Sequence, residues 1–390
     1  MRTEGIKRHY CDMLLALLLL APSAHAKPVV QFAGFAYAGA YRNIQTAYPY
    51  TAAINVPAPS GIDLLGKALM VRIRGQHFPG FRIDMSGLGR IHGNNPLALA
   101  FDLTHETVSV EHIGGYYKIL VILGAQALFF NIAKMQIVAD YPVGFQYVDL
   151  SNTKPAPSSL RDLVRSLYVG HRSANIFNAF LKTLQRVQLK PNYGHTIAVT
   201  QVVLSPKARQ QLADLSQNDP SAIKMLIAQQ FSADLTRNNS VPVLPYMKDY
   251  AIGNKISARF ANGTVFNLQI PKPDYSVILT LLKFKKLPYS QDASGSSWIY
   301  GVFLHIKVLE PLSARTYLDA TVKDGAVKLV PASETIVPDW PAYEETLFDL
   351  LNKLTLAIQN PTRRWAKTHT GDSRNVFGLL AAKKVIASCQ

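Results

Sequence analysis

The chain has 390 residues, a net charge of +16 and only two cysteines, Cys11 and Cys389. One of those lies in an N-terminal segment that reads as a removable signal. The remaining chain therefore cannot form an internal disulfide, and cysteine-rich zinc or iron–sulfur centres are excluded. A chain of this length can bury a full core and usually divides into more than one domain.

Residues 1–26 have a basic start (Arg2, Lys7, Arg8), an apolar run from Met13 to Ala21, a break at Pro22 and a small-residue end, Ala24-His25-Ala26. That layout predicts a secretory signal cleaved after Ala26, with Lys27 first in the mature chain. The run is too short to span a bilayer as a helix, which takes ~20 residues. No cysteine follows it that could carry a lipid. Removal of residues 1–26 takes away three basic and two acidic residues and leaves +15. The longest later apolar stretch, Ile119 to Phe130, contains Gly124 and Gln126 and reads as buried strand. No membrane span is expected in the mature chain.

Residues 27–152 read as a β-rich domain. Val71-Arg72-Ile73-Arg74 alternates apolar and basic residues, which predicts a strand with both arginines on one face. Segments 97–113, 116–130 and 134–149 are rich in Val, Ile, Phe and Tyr, with Gly114-Gly115 as a turn. Residues 153–193 read as a helical connection. Ser159 with Asp162 resembles a capping box opening a helix that Gly170 ends, and a second helix runs from about Ser173 to Val187.

Residues 194–390 read as an α+β domain with C-terminal helices. A strand is expected over 197–204, a helix from Pro206, and another with Asp219 as cap and Pro220 at its first position. Strands at 241–244, 255–260 and 265–270 follow, with Asn262-Gly263 as a hairpin signal. Three more strands, near 275–284, 298–309 and 315–330, precede an amphipathic helix from Tyr343 to Ile358 and a last helix from Arg374 to Ala387. Tyr116–Asp149 and Trp298–Pro331 share the order strand, turn, strand, link to helix, at an offset of about 180 residues. This reads either as a duplicated domain or as a convergence of pattern. The predicted fold class is α+β, with mixed or antiparallel sheets packed against helices, in the duplicated reading as two related domains in tandem.

The stretch from Asp274 to Val330, with the helix and the 241–244 strand before it, has a distinctive order. A short strand leads to Asp274-Tyr275 opening a long strand, then to a hairpin carrying Glu310-Pro311. This order resembles the α+β domain of curli-secretion lipoproteins and the N-terminal domain of TolB translocation proteins. The resemblance implies an envelope role in assembly or interaction and transfers no functional residue. The chain departs from those families in lacking a lipidation cysteine and propeller repeats.

Catalytic and metal motifs give little. His105, Glu106, Glu111 and His112 could suggest a metal site. On a strand, however, same-face partners six residues apart stand ~20 Å from each other, so solvated strand-face residues are expected instead. Ser221-Ala222-Ile223-Lys224 fits Ser-x-x-Lys at a helix start, but the partner motifs of penicillin-binding-type enzymes are missing. The basic groups are better candidates. Arg72 and Arg74, Arg161 and Arg165, Lys283, Lys285 and Lys286, and Arg363, Arg364, Trp365 and Lys367 are expected to contact an anionic partner; the alternative for each is a solvated face. Together these readings predict an exported periplasmic, non-catalytic binding or assembly protein of the cell envelope. It would need no cofactor, and its partner would be an envelope protein, an anionic envelope polymer or a lipid surface, with nucleic acid disfavoured. The alternative is an exported hydrolase with a dispersed active site.

Overall fold

The computed structural model describes residues 27–38, 44–56, 63–86, 96–113, 115–170, 174–190, 194–215, 220–246, 255–260, 264–293, 295–332 and 339–390. The expected signal at 1–26, the Gly114 turn residue, the Asp219 cap and the Asn262-Gly263 turn lie outside them. Strand β1 (Val29–Ala38) is followed by helices α1 (Ile44–Ala47), α2 (Pro49–Ile54) and α3 (Leu64–Ile73), and by the short strand β2 (Arg82–Asp84). A long meander comes next, β3 (Leu97–Ile113), β4 (Tyr116–Asn131) and β5 (Gln136–Ser151), and then helices α4 (Pro157–Val169) and α5 (Ile176–Leu184). β1 runs parallel to β3, whereas β3, β4 and β5 are antiparallel. A parallel pair requires a crossover, which the helices between β1 and β3 supply.

The second half repeats this plan. β6 (Ile197–Leu204) leads through α6 (Pro206–Leu215) and α7 (Pro220–Asn239) to β9 (Tyr275–Asp292), with the hairpin β7 (Lys255–Phe260) and β8 (Val265–Gln269) inserted on the way. β6 is parallel to β9, and β9, β10 (Gly295–Glu310) and β11 (Arg315–Pro331) form an antiparallel meander. Helices α8 (Trp340–Gln359), α9 (Arg363–Thr370) and α10 (Val376–Ser388) complete the chain. Both halves thus run parallel crossover, three-stranded meander, helix.

The two sheets bury different surfaces. One face of the first packs beneath α3, α4 and α5, with Phe101 edge-on to Phe177 and Phe180 at ring separations of 5.3 and 5.2 Å. Its other face is lined by small residues, Ala36, Ala98 and Ala100, beside Leu128 and Phe130. These leave room for the β7–β8 hairpin. The hairpin pairs with β5 at one side and with β1 at the other, giving the order β2-β1-β3-β4-β5-β8-β7 with β7 returning to β1. Strands 255–269 therefore extend the first sheet, and the helices at 157–184 cover it. The second sheet, in the order β11-β10-β9-β6, packs one face against α6, α7, α8 and α10 around Phe231, Leu347, Leu350 and Leu354.

Three local expectations are corrected. Residues 71–73 end a helix instead of forming a strand, and Arg74 is its C-cap. Asp63 accepts from the Gly66 N–H as N-cap, and Leu65, Leu69 and Ile73 are buried at four-residue spacing, so helical periodicity outweighs four alternating residues. Helix α4 begins at Pro157 without a side-chain cap, because proline at the first position needs no N–H partner. Residues 241–244 are not a strand. They stitch the sheets together: Val243 N–H donates to Asp140 O at 2.9 Å in the first sheet, and Leu244 N–H donates to Ile197 O at 2.9 Å in the second.

Glu106, expected to be solvated, is 9% exposed. Its carboxylate accepts from the N–H groups of Tyr50 (2.8 Å) and Thr51 (2.9 Å) and from the Thr51 hydroxyl, so it caps α2 from a distant strand. Burial raises its pKa, and the Thr51 and Tyr50 hydrogen bonds oppose that rise. Glu106→Ala would strand these donors and is expected to cost about 2–3 kcal/mol in urea unfolding, with Glu106→Gln losing less. A cost below ~0.5 kcal/mol would show that the capping contact contributes little.

Candidate functional site

Helix α7 lies between the two sheets. Ile223, Ile227, Phe231 and Leu235 enter the second core. The opposite side of the helix faces β3, β4 and β5 across a cleft of about 740 Å³, closed at one side by Phe348, Asp349 and Asn352 of α8. The floor owes its depth to glycine. His105, Gly124 and Gly144 sit opposite one another on three adjacent strands. A Cβ on Gly124 would lie 3.0 Å from His105 Cβ and 3.6 Å from Gln229 Oε1, and one on Gly144 would lie 3.9 Å from Gln230 Oε1. The glutamines of α7 therefore occupy space that larger residues would fill.

A buried polar row runs beside this floor. Gln126 on β4 donates Nε2 to Asp102 Oδ2 on β3 at 2.7 Å. Asp102 Oδ1 has no hydrogen-bond partner, and neither has Ser232 Oγ on α7, while the Asp140 carboxyl on β5 lies against the backbone N–H of Tyr141. Both aspartates are fully buried. Burial pushes Asp102 up to about 7, against the Gln126 hydrogen bond. Burial and then the Asp102 charge push Asp140 well above the usual carboxylate range. Burial also lowers His105 to about 4, so its ring is neutral at neutral pH. Arg237 is paired with Asp234 and also donates to Asn352 Oδ1 at 3.0 Å. The Arg237 charge in the cleft wall is thus offset by Asp234, and Asp349 adds a carboxylate at its edge.

His105 Nε2 lies 2.9 Å from Thr107 Oγ1, and no carboxylate among the described residues orients the other ring nitrogen. No group of three or more His, Cys, Asp or Glu side chains among the described residues is arranged to hold a metal ion. Ser221 and Lys224 stand in the first turns of α7. His112, at the far end of β3, packs on Tyr117, and Glu111 approaches Lys118 Nζ at 3.8 Å.

The basic candidates divide by what they touch. Arg72 donates to Asn178 Oδ1 (3.0 Å) and Gly170 O (2.8 Å), holding α3 against the ends of α4 and α5. Arg74, Arg161 and Arg165 are exposed on the first half. Lys286 is bound to Asp339 at 2.7 Å and lies 4.8 Å above the Trp298 ring. Trp365 stacks on His369 at 4.6 Å and packs on the second core. Arg363, Arg364 and Lys367 are exposed on α9.

Lys283 and Lys285 stand on the face of the second sheet that no helix covers. Lys283 Nζ lies 4.7 Å over Phe303. Lys285 shares a shallow depression with Leu287, Ile299, Phe303 and Lys323, edged by Thr368 and His369 of α9. Neither Lys285 nor Lys323 makes an ion pair among the described residues. Leu287, Val327 and Leu329 on this side are 39%, 51% and 55% exposed. The structure therefore joins Lys285 to Lys323 and to the end of α9 at Thr368 and His369, while the candidates Arg363, Arg364, Trp365 and Lys367 do not line this depression.

Sequence reasoning missed Asp102, Gln126, Asp140 and the α7 glutamines. The available signal was one polar residue interrupting each of three apolar strands, since a buried polar side chain is far more informative than an exposed one.

No protein-family model matches the chain, and no curated protein matches it. Among solved structures, a minor lipoprotein from Acinetobacter baumannii aligns with 45% of this chain and 94% of its own, at 9% identity and a TM-score of 0.22. A Xanthomonas campestris protein of the DUF330 family model aligns with 51% and 94%, at 11% identity and a TM-score of 0.19. Likenesses this slight assign no role.

The Asp102 carboxyl gives a pH dependence of known sign. Its folded pKa lies above the unfolded value of ~3.9, so the unfolded state releases the proton first. Stability falls as pH rises from about 4 to about 7, and the loss is complete above that. Asp102→Asn, which keeps an acceptor for Gln126, should remove this loss. The gap in unfolding free energy between variant and wild type is expected to widen across that window, by on the order of 4 kcal/mol at most. A gap independent of pH would show that the carboxyl is not held protonated.

Proposed function

We propose that the protein is an exported, non-catalytic binding or assembly component of the cell envelope, working in the periplasm, that meets an anionic lipid surface through the open face of its second sheet. The observation that carries this reading is the uncovered face itself. An antiparallel sheet can leave one side to solvent, and that side is then normally polar. Here it mixes lysines 283, 285 and 323 with exposed Leu287, Val327 and Leu329. Lysines attract phosphate headgroups, worth about 1 kcal/mol each near an anionic surface, while apolar side chains enter the boundary beneath them. The mature charge of +15 favours the encounter at long range. Among the described residues no helix is long and apolar enough to cross a membrane, so contact would be made from the surface.

Sedimentation with vesicles tests the reading. The mature protein is expected to pellet with phosphatidylglycerol-containing vesicles at low salt, to be released as ionic strength rises, and to ignore pure phosphatidylcholine. Reversing Lys283, Lys285 and Lys323 to Glu should reduce the bound fraction at least tenfold, while the same change at Arg161 and Arg165 should matter less. Failure to bind at low salt, or binding untouched by the triple change, refutes it. Retention on purified sacculi alone would move the partner from lipid to cell-wall polymer.

A further inference from the structure

We propose that the cleft between the first sheet and helix α7 is a binding site for an uncharged saccharide, a function separate from the surface contact of the second sheet. Its volume of about 740 Å³ falls within the ~300–1,000 Å³ of small-ligand sites. Its chemistry selects the ligand class. Arg237, the cation in the wall, is neutralised by Asp234, Asp349 adds a carboxylate at the edge, and the amides Gln126, Gln229, Gln230 and Asn352 make up much of the remaining polar lining. A phosphate or carboxylate entering here would lose its hydration and find no unspent cation. Side-chain amides present a donor and an acceptor together, the combination that a ring hydroxyl also presents.

The shape gives a second argument. Gly124 and Gly144, directly opposite on neighbouring strands, add no side chain to the floor beneath Gln229 and Gln230, and Tyr246 and Phe348 supply apolar wall for the C–H face of a sugar ring. β4, in the middle of this floor, is paired on both sides, with β3 and with β5. Finally, Ser232 forms part of the wall with a hydroxyl that lacks a partner, which is uncommon for a buried group.

Isothermal titration calorimetry on the mature chain decides the matter, using maltotriose, cellobiose and N,N′-diacetylchitobiose, with trialanine and glucose 1-phosphate as comparisons. Saturable one-to-one binding of at least one neutral saccharide is expected, with no heat from trialanine and weaker or no binding of the phosphate ester. Gln229→Leu, which removes an amide from the wall without enlarging it, and Gly144→Val, which fills the floor, should each weaken binding at least tenfold. If Gly144→Val does not fold, Gln229→Leu alone decides. Vesicle binding by Gln229→Leu should be unchanged, which separates this site from the lysine face. The proposal is overturned if no neutral saccharide binds, if trialanine or the phosphate ester binds in preference, or if Gln229→Leu binds as the wild type does.

Discussion

One helix has to satisfy two sheets. α7 contributes Phe231 and its apolar neighbours to the second core while its other side approaches the back of the first sheet. A helix with two buried sides cannot be amphipathic in the ordinary sense, and α7 carries buried Ser232, Asp234, Thr236 and Asn239 among its apolar residues. All of these but Ser232 have a hydrogen-bond partner. Thr236 Oγ1 donates to Val241 O at 3.0 Å, Asn239 Nδ2 donates to Thr355 O at 3.2 Å, and Asp234 takes Arg237 and Gln230. These bonds fix the helix in rotation. The glycines of β4 and β5 then determine how close it comes, and the space left over is the cleft.

The repeated plan of the two halves makes their difference informative. In both, a parallel crossover feeds a three-stranded meander. In the first half the second face of the sheet is used up: the β7–β8 hairpin crosses it at one end and α7 covers it at the other. The corresponding face of the second half is open. One copy of the plan thus has its spare face turned inward, toward a polar cleft, and the other has it turned outward, toward solvent. Enclosure suits small-molecule recognition, and a broad open face suits an extended surface.

The legible part of the fold was the part fixed by local pattern. Strands read at 97–113, 116–130 and 197–204 and helices opening at Pro206 and Pro220 follow from β-branched runs and proline position, and the structure has them there, with the second strand one residue longer. Leu347, Leu350, Leu351, Leu354 and Ile358 were read as one helical face and all are buried. What could not be read was association at long range. Nothing local in Val71–Arg74 reveals that Arg72 will brace two helices a hundred residues away. Nothing in Tyr50-Thr51 reveals that their N–H groups will meet Glu106. The aspartates of the cleft stand as interruptions in apolar strands, but that they share one face depends on the pairing of β3, β4 and β5, and that His105 joins them depends on the bulge between Leu103 and His105. The lysine face was half legible, because Lys283 and Lys285 were flagged while Lys323 joins them only through strand register.

The burial of Cys389 has a consequence in time. Its side chain is fully enclosed in the second core, its Sγ donates to Val385 O at 3.4 Å, and burial pushes its pKa up to about 12. Around it the chain end is clasped, with Lys190 Nζ bonded to Gln390 O and the Gln390 amide to Asn239 O. A thiol attacks an alkylating reagent only as thiolate and only where the reagent can reach it. In the mature chain expected after Ala26 this thiol stands alone, so its labelling rate under native conditions counts how often α10 lifts from the core. It is a built-in clock for the opening of the second half, readable by mass without introducing a probe.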